Sequence, residues 1–204
     1  KLAAAQPFGE WVGKITELDD ALAEVTEAPM FSGAELRTRQ IAAGYSMEEL
    51  EAILAPMAEE GKEVVASMGD DTPSAVLSEK YRPLSHFFRQ NFSQVTNPPI
   101  DSLREYRVMS LKTRFGNLKN VLDESASQTE IIVLDSPFVG NAQFDRLVEN
   151  FNAPMAELDC TFPAGAGPTA LRDALERIRS EAEDAVRSGK GHLVMTDQHQ
   201  DAGR

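Results

Sequence analysis

The stretch from Leu158 to Thr196 leaves little freedom for the fold. Leu158, Cys160 and Phe162 alternate with Asp159 and Thr161, the period-two pattern of a strand with one buried face. Thr169 to Arg187 then carries Leu171, Leu175, Ile178 and Ala182 at helical spacing, with charge opposite. That pattern predicts an amphipathic helix with those four residues turned inward. Ser188-Gly189-Lys190-Gly191 offers a glycine for a left-handed cap, and His192-Leu193-Val194-Met195-Thr196 reads as the next strand. Strand, helix, strand over about forty residues is a βαβ unit, which demands a parallel sheet with a right-handed crossover.

The preceding residues fit the same class. Ile131-Ile132-Val133-Leu134 is a short β-branched run of the kind buried on both faces, and Phe144, Leu147 and Val148 suggest a short helix. The first sixty residues read as helices, from the spacing of Leu18, Ala21, Leu22 and Val25 and of Leu50, Ile53, Leu54 and Met57. Ser46 and Glu49 form a capping box for the second of these, and Pro56 predicts a kink or an early stop. From Arg82 a further helix would align Leu84, Phe87, Phe88 and Phe92. The expected fold is α/β: a helical N-terminal half leading into a parallel sheet with a βαβ unit. Residues 1–66 are the helical lead, and 67–204 an α/β portion expected to be truncated at its C-terminus, since a sheet should run on past Thr196.

Charge narrows the partners. A formal net charge of −13 opposes nucleic acid, which needs a positive field, and opposes anionic membrane surfaces. No run approaches the roughly 18 apolar residues of a membrane span. The single cysteine, Cys160, rules out an internal disulfide or a multi-thiolate metal site, and a reducing cytoplasm fits that usage.

The candidate chemistry is sparse. Gly165-Ala166-Gly167-Pro168-Thr169-Ala170 follows a strand, opens a helix and matches a dinucleotide fingerprint, which leaves an independent nucleotide- or ligand-binding α/β domain as the alternative reading. Against it, Pro168 removes an amide from the phosphate cradle, and Asp197 lies further on than the usual twenty or so residues. Cys160 is expected to be a buried inert thiol, and His86, His192 and His199 show no ligand spacing. Asp70-Asp71 reads as a capped turn ahead of Thr72-Pro73 rather than a cation site. No catalytic, cofactor-binding or metal-ligating residue is expected.

One loop remains. Thr96-Asn97-Pro98-Pro99-Ile100-Asp101 joins two prolines of fixed φ, neither offering a backbone donor, to an aspartate placed to cap a helix beginning at Ser102. With Gly69-Asp70-Asp71-Thr72-Pro73, Ala75-Val76-Leu77-Ser78, Phe88-Arg89-Gln90 and Gln94-Val95 upstream, this block resembles the central domain of bacterial glutamate synthase large subunits. Arg104-Glu105 and Val108-Met109-Ser110-Leu111 continue the resemblance in step, and Ser102 departs from it where a third proline would stand.

The resemblance implies a non-catalytic connecting role, between an amidotransferase domain that releases ammonia from glutamine and an FMN-binding synthase domain. It implies that Thr96, Asn97, Pro98, Pro99, Ile100 and Asp101 lie at an interdomain ammonia passage. The parent enzyme would use FMN, an iron–sulfur cluster and NADPH, the last through a small NADPH-oxidising subunit, with none of these held by this segment. Nucleic acid and membranes are not expected as partners.

Overall fold

A computed structural model describes residues 4–64, 74–88, 100–200 and 203. In chain order they form α1 (Phe8–Val12), β1 (Thr16–Glu17), α2 (Asp19–Ala23), α3 (Gly33–Ala42), α4 (Met47–Glu49), a π turn (Leu50–Leu54) and α5 (Ala55–Glu60). Two 3-10 turns, Ala75–Leu77 and Leu84–Phe87, precede α6 (Ser102–Val108) and β2 (Thr113–Phe115). A third 3-10 turn (Ala126–Thr129) leads to β3 (Ile132–Leu134), α7 (Asn141–Val148), β4 (Met155–Asp159), α8 (Ala170–Arg187) and β5 (His192–Thr196). The class is α/β. Contacts group these elements into two compact units, each assembled from separated stretches of chain.

The first unit comprises residues 1–25, 114–133 and 143–204. Its β4 and β5 pair in parallel from Met155↔His192 to Asp159↔Thr196, with α8 as the connection and packed on β4. The βαβ reading therefore stands. A second sheet has the order β1-β3-β2, with β1 parallel to β3 through Thr16↔Ile132 and Glu17↔Val133. All three residues of β3 are buried, as the apolar run predicts for a central strand. Ile132 and Val133 of β3, Leu18 and Leu22 at α2, Leu147 of α7, Leu158 of β4 and Ala174 of α8 make up the buried apolar set of this unit, and Leu134 counts with the second. β1 and β2 were invisible to periodicity, because a strand of two or three residues has no period.

α8 departs in part from its predicted facing. Ala174 is buried, whereas Leu171 and Leu175 are 57% and 52% exposed. Small Ala174 lets the helix backbone approach β4, and a sheet two strands wide covers only part of the apolar arc. Arg177, counted in sequence among the outward charges, is a tether instead. Its Nη2 donates to the carbonyls of Asp159 and Thr161, both at 2.9 Å.

Asn152 holds together three stretches of this unit. Its Oδ1 accepts from the Asn117 amide at 3.0 Å and lies 3.0 Å from His192 Nε2, and its Nδ2 donates to the Glu130 carbonyl at 2.7 Å. His192 stacks on Phe151 with ring centroids 4.2 Å apart, and partial burial lowers its pKa below the usual imidazole value. Gly191 sits beside this knot, where a Cβ would collide with Ala153 and the Asn117 side chain.

The second unit comprises residues 26–113 and 134–142. The capping box at the start of α4 is present. Ser46 Oγ accepts from the Glu49 amide at 3.1 Å, and Glu49 Oε2 accepts from the Ser46 amide at 2.7 Å. Pro56 does not bring an early stop, one of the two outcomes expected of it, because the helix continues past it. In α-helical register its absent N–H and its ring would both meet the Ala52 carbonyl. The π turn resolves this by a wider loop, in which the Ala55 amide donates to the Leu50 carbonyl. The helix then runs to Glu60 and closes at Gly61, whose φ of +62° favours glycine.

The aromatic helix expected from Arg82 is also replaced. Only the 3-10 turn Leu84–Phe87 forms, and Phe88 is extended at φ −112°, ψ 126°. Aromatic side chains lose rotamer freedom in a helix and need burial to recover it. Phe87 and Phe88 are 49% and 73% exposed and gain no such burial. Phe92 lies outside the described residues.

Candidate interdomain site

Of the six loop residues singled out in sequence, Thr96, Asn97, Pro98 and Pro99 lie outside the described residues, as do Gly69 to Pro73. Ile100 and Asp101 are described, and they show how the loop joins its helix. Asp101 is extended at φ −68°, ψ 150°, the usual geometry of a cap. Its Oδ1 accepts from the Arg104 amide at 3.0 Å, and its Oδ2 accepts from Arg104 Nε at 2.9 Å. The capping expectation is met, and one carboxylate binds both backbone and side chain of the first turn. Ile100, the residue before the cap, is 42% exposed.

α6 carries this cap to a second anchor. Just past its end, Lys62 and Ser110 form an isolated antiparallel bridge. The Glu63 amide donates to the Met109 carbonyl at 2.6 Å and the Leu111 amide to the Gly61 carbonyl at 3.0 Å. Asp101, α6 and the C-terminus of α5 are thus held in sequence within one unit. The outer face of α6 is apolar and open, Leu103 and Tyr106 being 85% and 84% exposed.

A cleft of about 440 Å³ lies between α5, α6 and Asp135. Its lysines are matched by its own carboxylates: Lys62 Nζ to Glu60 at 2.6 Å and Lys112 Nζ to Asp135 at 2.9 Å. The hydrogen bond that Lys62 donates to Glu60 raises the Lys62 pKa, so its ammonium is held charged rather than freed as a base.

At the other end of the same helix run, Glu49 Oε1 lies 3.3 Å from His86 Nε2 and ties the Leu84–Phe87 turn to the capping box. Burial opposes the Glu49 charge, but the Ser46 hydrogen bonds and nearby His86 and Arg82 outweigh it and hold the carboxyl below its usual range. No local pattern signals this long-range pair, because its partners lie 37 residues apart along the chain.

The glycine pair does not converge with other polar groups. Gly165 and Gly167 have φ of +76° and +95°, and a Cβ at either would meet open space. Thr169, at the start of α8, spends its hydroxyl on the Asp173 carboxylate at 2.9 Å, which puts negative charge where a phosphate would sit. Cys160 is half-buried and donates to the Leu158 carbonyl at 3.6 Å, and His199 pairs with Glu157 at 3.2 Å. Among the described residues no three of His, Cys, Asp and Glu are grouped to hold a metal, and no helix is long and apolar enough to cross a membrane.

Comparison with known proteins agrees with the resemblance. The profile of the glutamate synthase central domain matches residues 38–204. The glutamate synthase [NADPH] large chain of Azospirillum brasilense is 56% identical over 97% of this chain and 13% of its own length. Ferredoxin-dependent glutamate synthase 2 of Synechocystis is 40% identical over 97% of the chain and 13% of its own. Glutamate synthase [NADH] of Saccharomyces cerevisiae is 35% identical over the whole chain and 10% of its own. The chain therefore spans only about an eighth or a tenth of the length of these relatives.

Proposed function

The chain belongs to the glutamate synthase central-domain family, and we propose that it acts there as a non-catalytic connector between an amidotransferase domain and an FMN-binding synthase domain. The observation that carries this is the match of residues 38–204 to the central domain alone, within relatives roughly eight to ten times longer. The parent reaction joins glutamine and 2-oxoglutarate, with two electrons and two protons, into two molecules of glutamate, and leaves the electron donor oxidised. Ammonia released from glutamine must reach the 2-oxoglutarate carbonyl unprotonated, and at neutral pH in water most of it would be ammonium. A walled path between the sites preserves the free base.

Thr96 to Asp101 suit such a wall, with two prolines that offer no donor to trap ammonia. The Asp101 cap and the bridge behind α6 support this reading by fixing one end of the loop. The sheet supports a further part of it: Leu193 and Met195, on one face of β5, are 39% and 70% exposed, a face that another layer of a longer polypeptide would cover.

The relatives are named for NADPH, NADH and ferredoxin, yet all share this segment. Choice of electron donor therefore lies outside it. Its one cysteine does not fit an iron–sulfur cluster, which takes several thiolates, and FMN, the cluster and the NADPH-oxidising small subunit are assigned to the rest of the assembly. FMN supplies the electrons that reduce the imine.

The test is Ile100→Trp in the full-length enzyme. Glutamine-dependent glutamate formation should fall several-fold while turnover on added ammonium is spared. Equal activity on both nitrogen sources, unchanged from the parent, removes the passage from this loop. Titration of the excised chain with NADPH or FMN should give no saturable binding; saturation would favour the nucleotide-binding alternative at Gly165–Gly167.

A further inference from the structure

Residues 74–88 display apolar surface on a frame that is pinned rather than loose. The two 3-10 turns of this stretch pack on each other. Tyr81 and Pro83 close over Gly44, where φ is +86° and a Cβ would meet the proline ring at 2.6 Å. His86 is tied to Glu49 at 3.3 Å. Yet Val76, Leu77, Leu84 and Phe88 are between 72% and 74% exposed. Single exposed apolar residues need no explanation, but four on one anchored stretch mark an interaction surface.

We infer that residues 74–88 form a docking surface covered, in the full-length polypeptide, by another part of the same chain. This rests on the connecting role proposed above and assigns it a surface. The length of the relatives supports the occupant: some nine-tenths of such a polypeptide lies outside this segment. Charge disfavours a second copy, because it would bring together two bodies of net charge −13. Lys80 and Arg82 against Glu79 leave the stretch itself with one net positive charge, and Lys80 is exposed beside the apolar residues. The covering surface should therefore be apolar at its centre, with a carboxylate opposite Lys80.

The experiment places a photoreactive benzoylphenylalanine at Leu84 or Phe88 in the full-length protein, with crosslinked peptides read by mass spectrometry. The expected product joins these positions to a peptide of the same chain outside residues 1–204. An adduct of doubled mass, or one confined to residues 1–204, overturns the inference. In parallel, Leu84→Cys and Phe88→Cys should react with maleimide about tenfold or more slowly than in the urea-unfolded protein. Reaction as fast as in the unfolded chain also overturns it. A full-length protein that makes no glutamate but gives the expected adduct would sink the connecting role and leave the docking surface standing.

Discussion

The two compact units differ in what holds them, although both leave apolar side chains exposed, Leu122 and Met195 of the first among them. In the first, Leu18, Leu22, Ile132, Val133, Leu147 and Leu158 are at most 6% exposed and meet in strand and helix contacts. In the second, Leu134 is the buried large apolar residue, and Val76, Leu84, Phe88, Leu103 and Tyr106 face outward. The second unit is held by caps, turns and ion pairs: Ser46 with Glu49, Glu49 with His86, Asp101 with Arg104, Lys112 with Asp135. Among the described residues, one unit thus holds most of the buried apolar side chains, while the other is tied chiefly by polar contacts. The connecting role proposed above would call on both, a fixed body and apolar surface left for neighbours.

The sharpest way to break this contrast is a matched pair of truncations. Leu147→Ala in the excised chain should cost about 2–5 kcal/mol by urea denaturation, as a cavity among packed neighbours does. Leu84→Ala there should cost no more than about 0.5 kcal/mol, as an exposed position does. Equal costs would mean that the second unit is packed as tightly as the first.

The polar knot of the first unit comes next. Asn152→Ala removes partners from Asn117, Glu130 and His192 at once and should cost about 1–3 kcal/mol in thermal unfolding, discounted because the groups are partly wet. Arg177→Lys keeps the charge but cannot span both the Asp159 and Thr161 carbonyls, and about 1–2 kcal/mol should be lost. On the other unit, Ser46→Ala should cost about 1 kcal/mol through the lost cap. A cap worth more than the Asn152 knot would reverse the ranking of the two units.

The smallest effect is one of pH. The His192 pKa is lowered in the folded chain, so the unfolded chain takes up its proton first as pH falls. The stability is fully present above the ordinary imidazole pKa and is lost as pH drops from there through the lower folded value. Between pH 7 and 5 the parent chain should therefore weaken slightly more than His192→Gln, measured by urea midpoints. A parallel decline would remove His192 as the source.

The α/β class, the βαβ unit, the Ser46 capping box and the Asp101 cap were legible in the chain because each depends on residues within one or two turns or on a plain period. The central-domain resemblance was legible because its words are long and specific. The predicted inward face of α8 held in part: Ile178 and Ala182 are half-buried, whereas Leu171 and Leu175 have the right period and stay exposed. Among the described residues the aromatic helix after Arg82 is not formed, and there Phe87 and Phe88 stay 49% and 73% exposed.

By itself, the sequence determined which segments turn, cap and alternate, since these follow from φ restrictions, local hydrogen bonds and hydrophobic period. Tertiary structure decided which apolar faces are spent internally and which are left open. It also decided that Pro56 is carried through a π turn, that Arg177 serves as a tether and that Asn152 joins three distant stretches. Each of those outcomes depends on what lies opposite a side chain, and distance along a chain does not encode that.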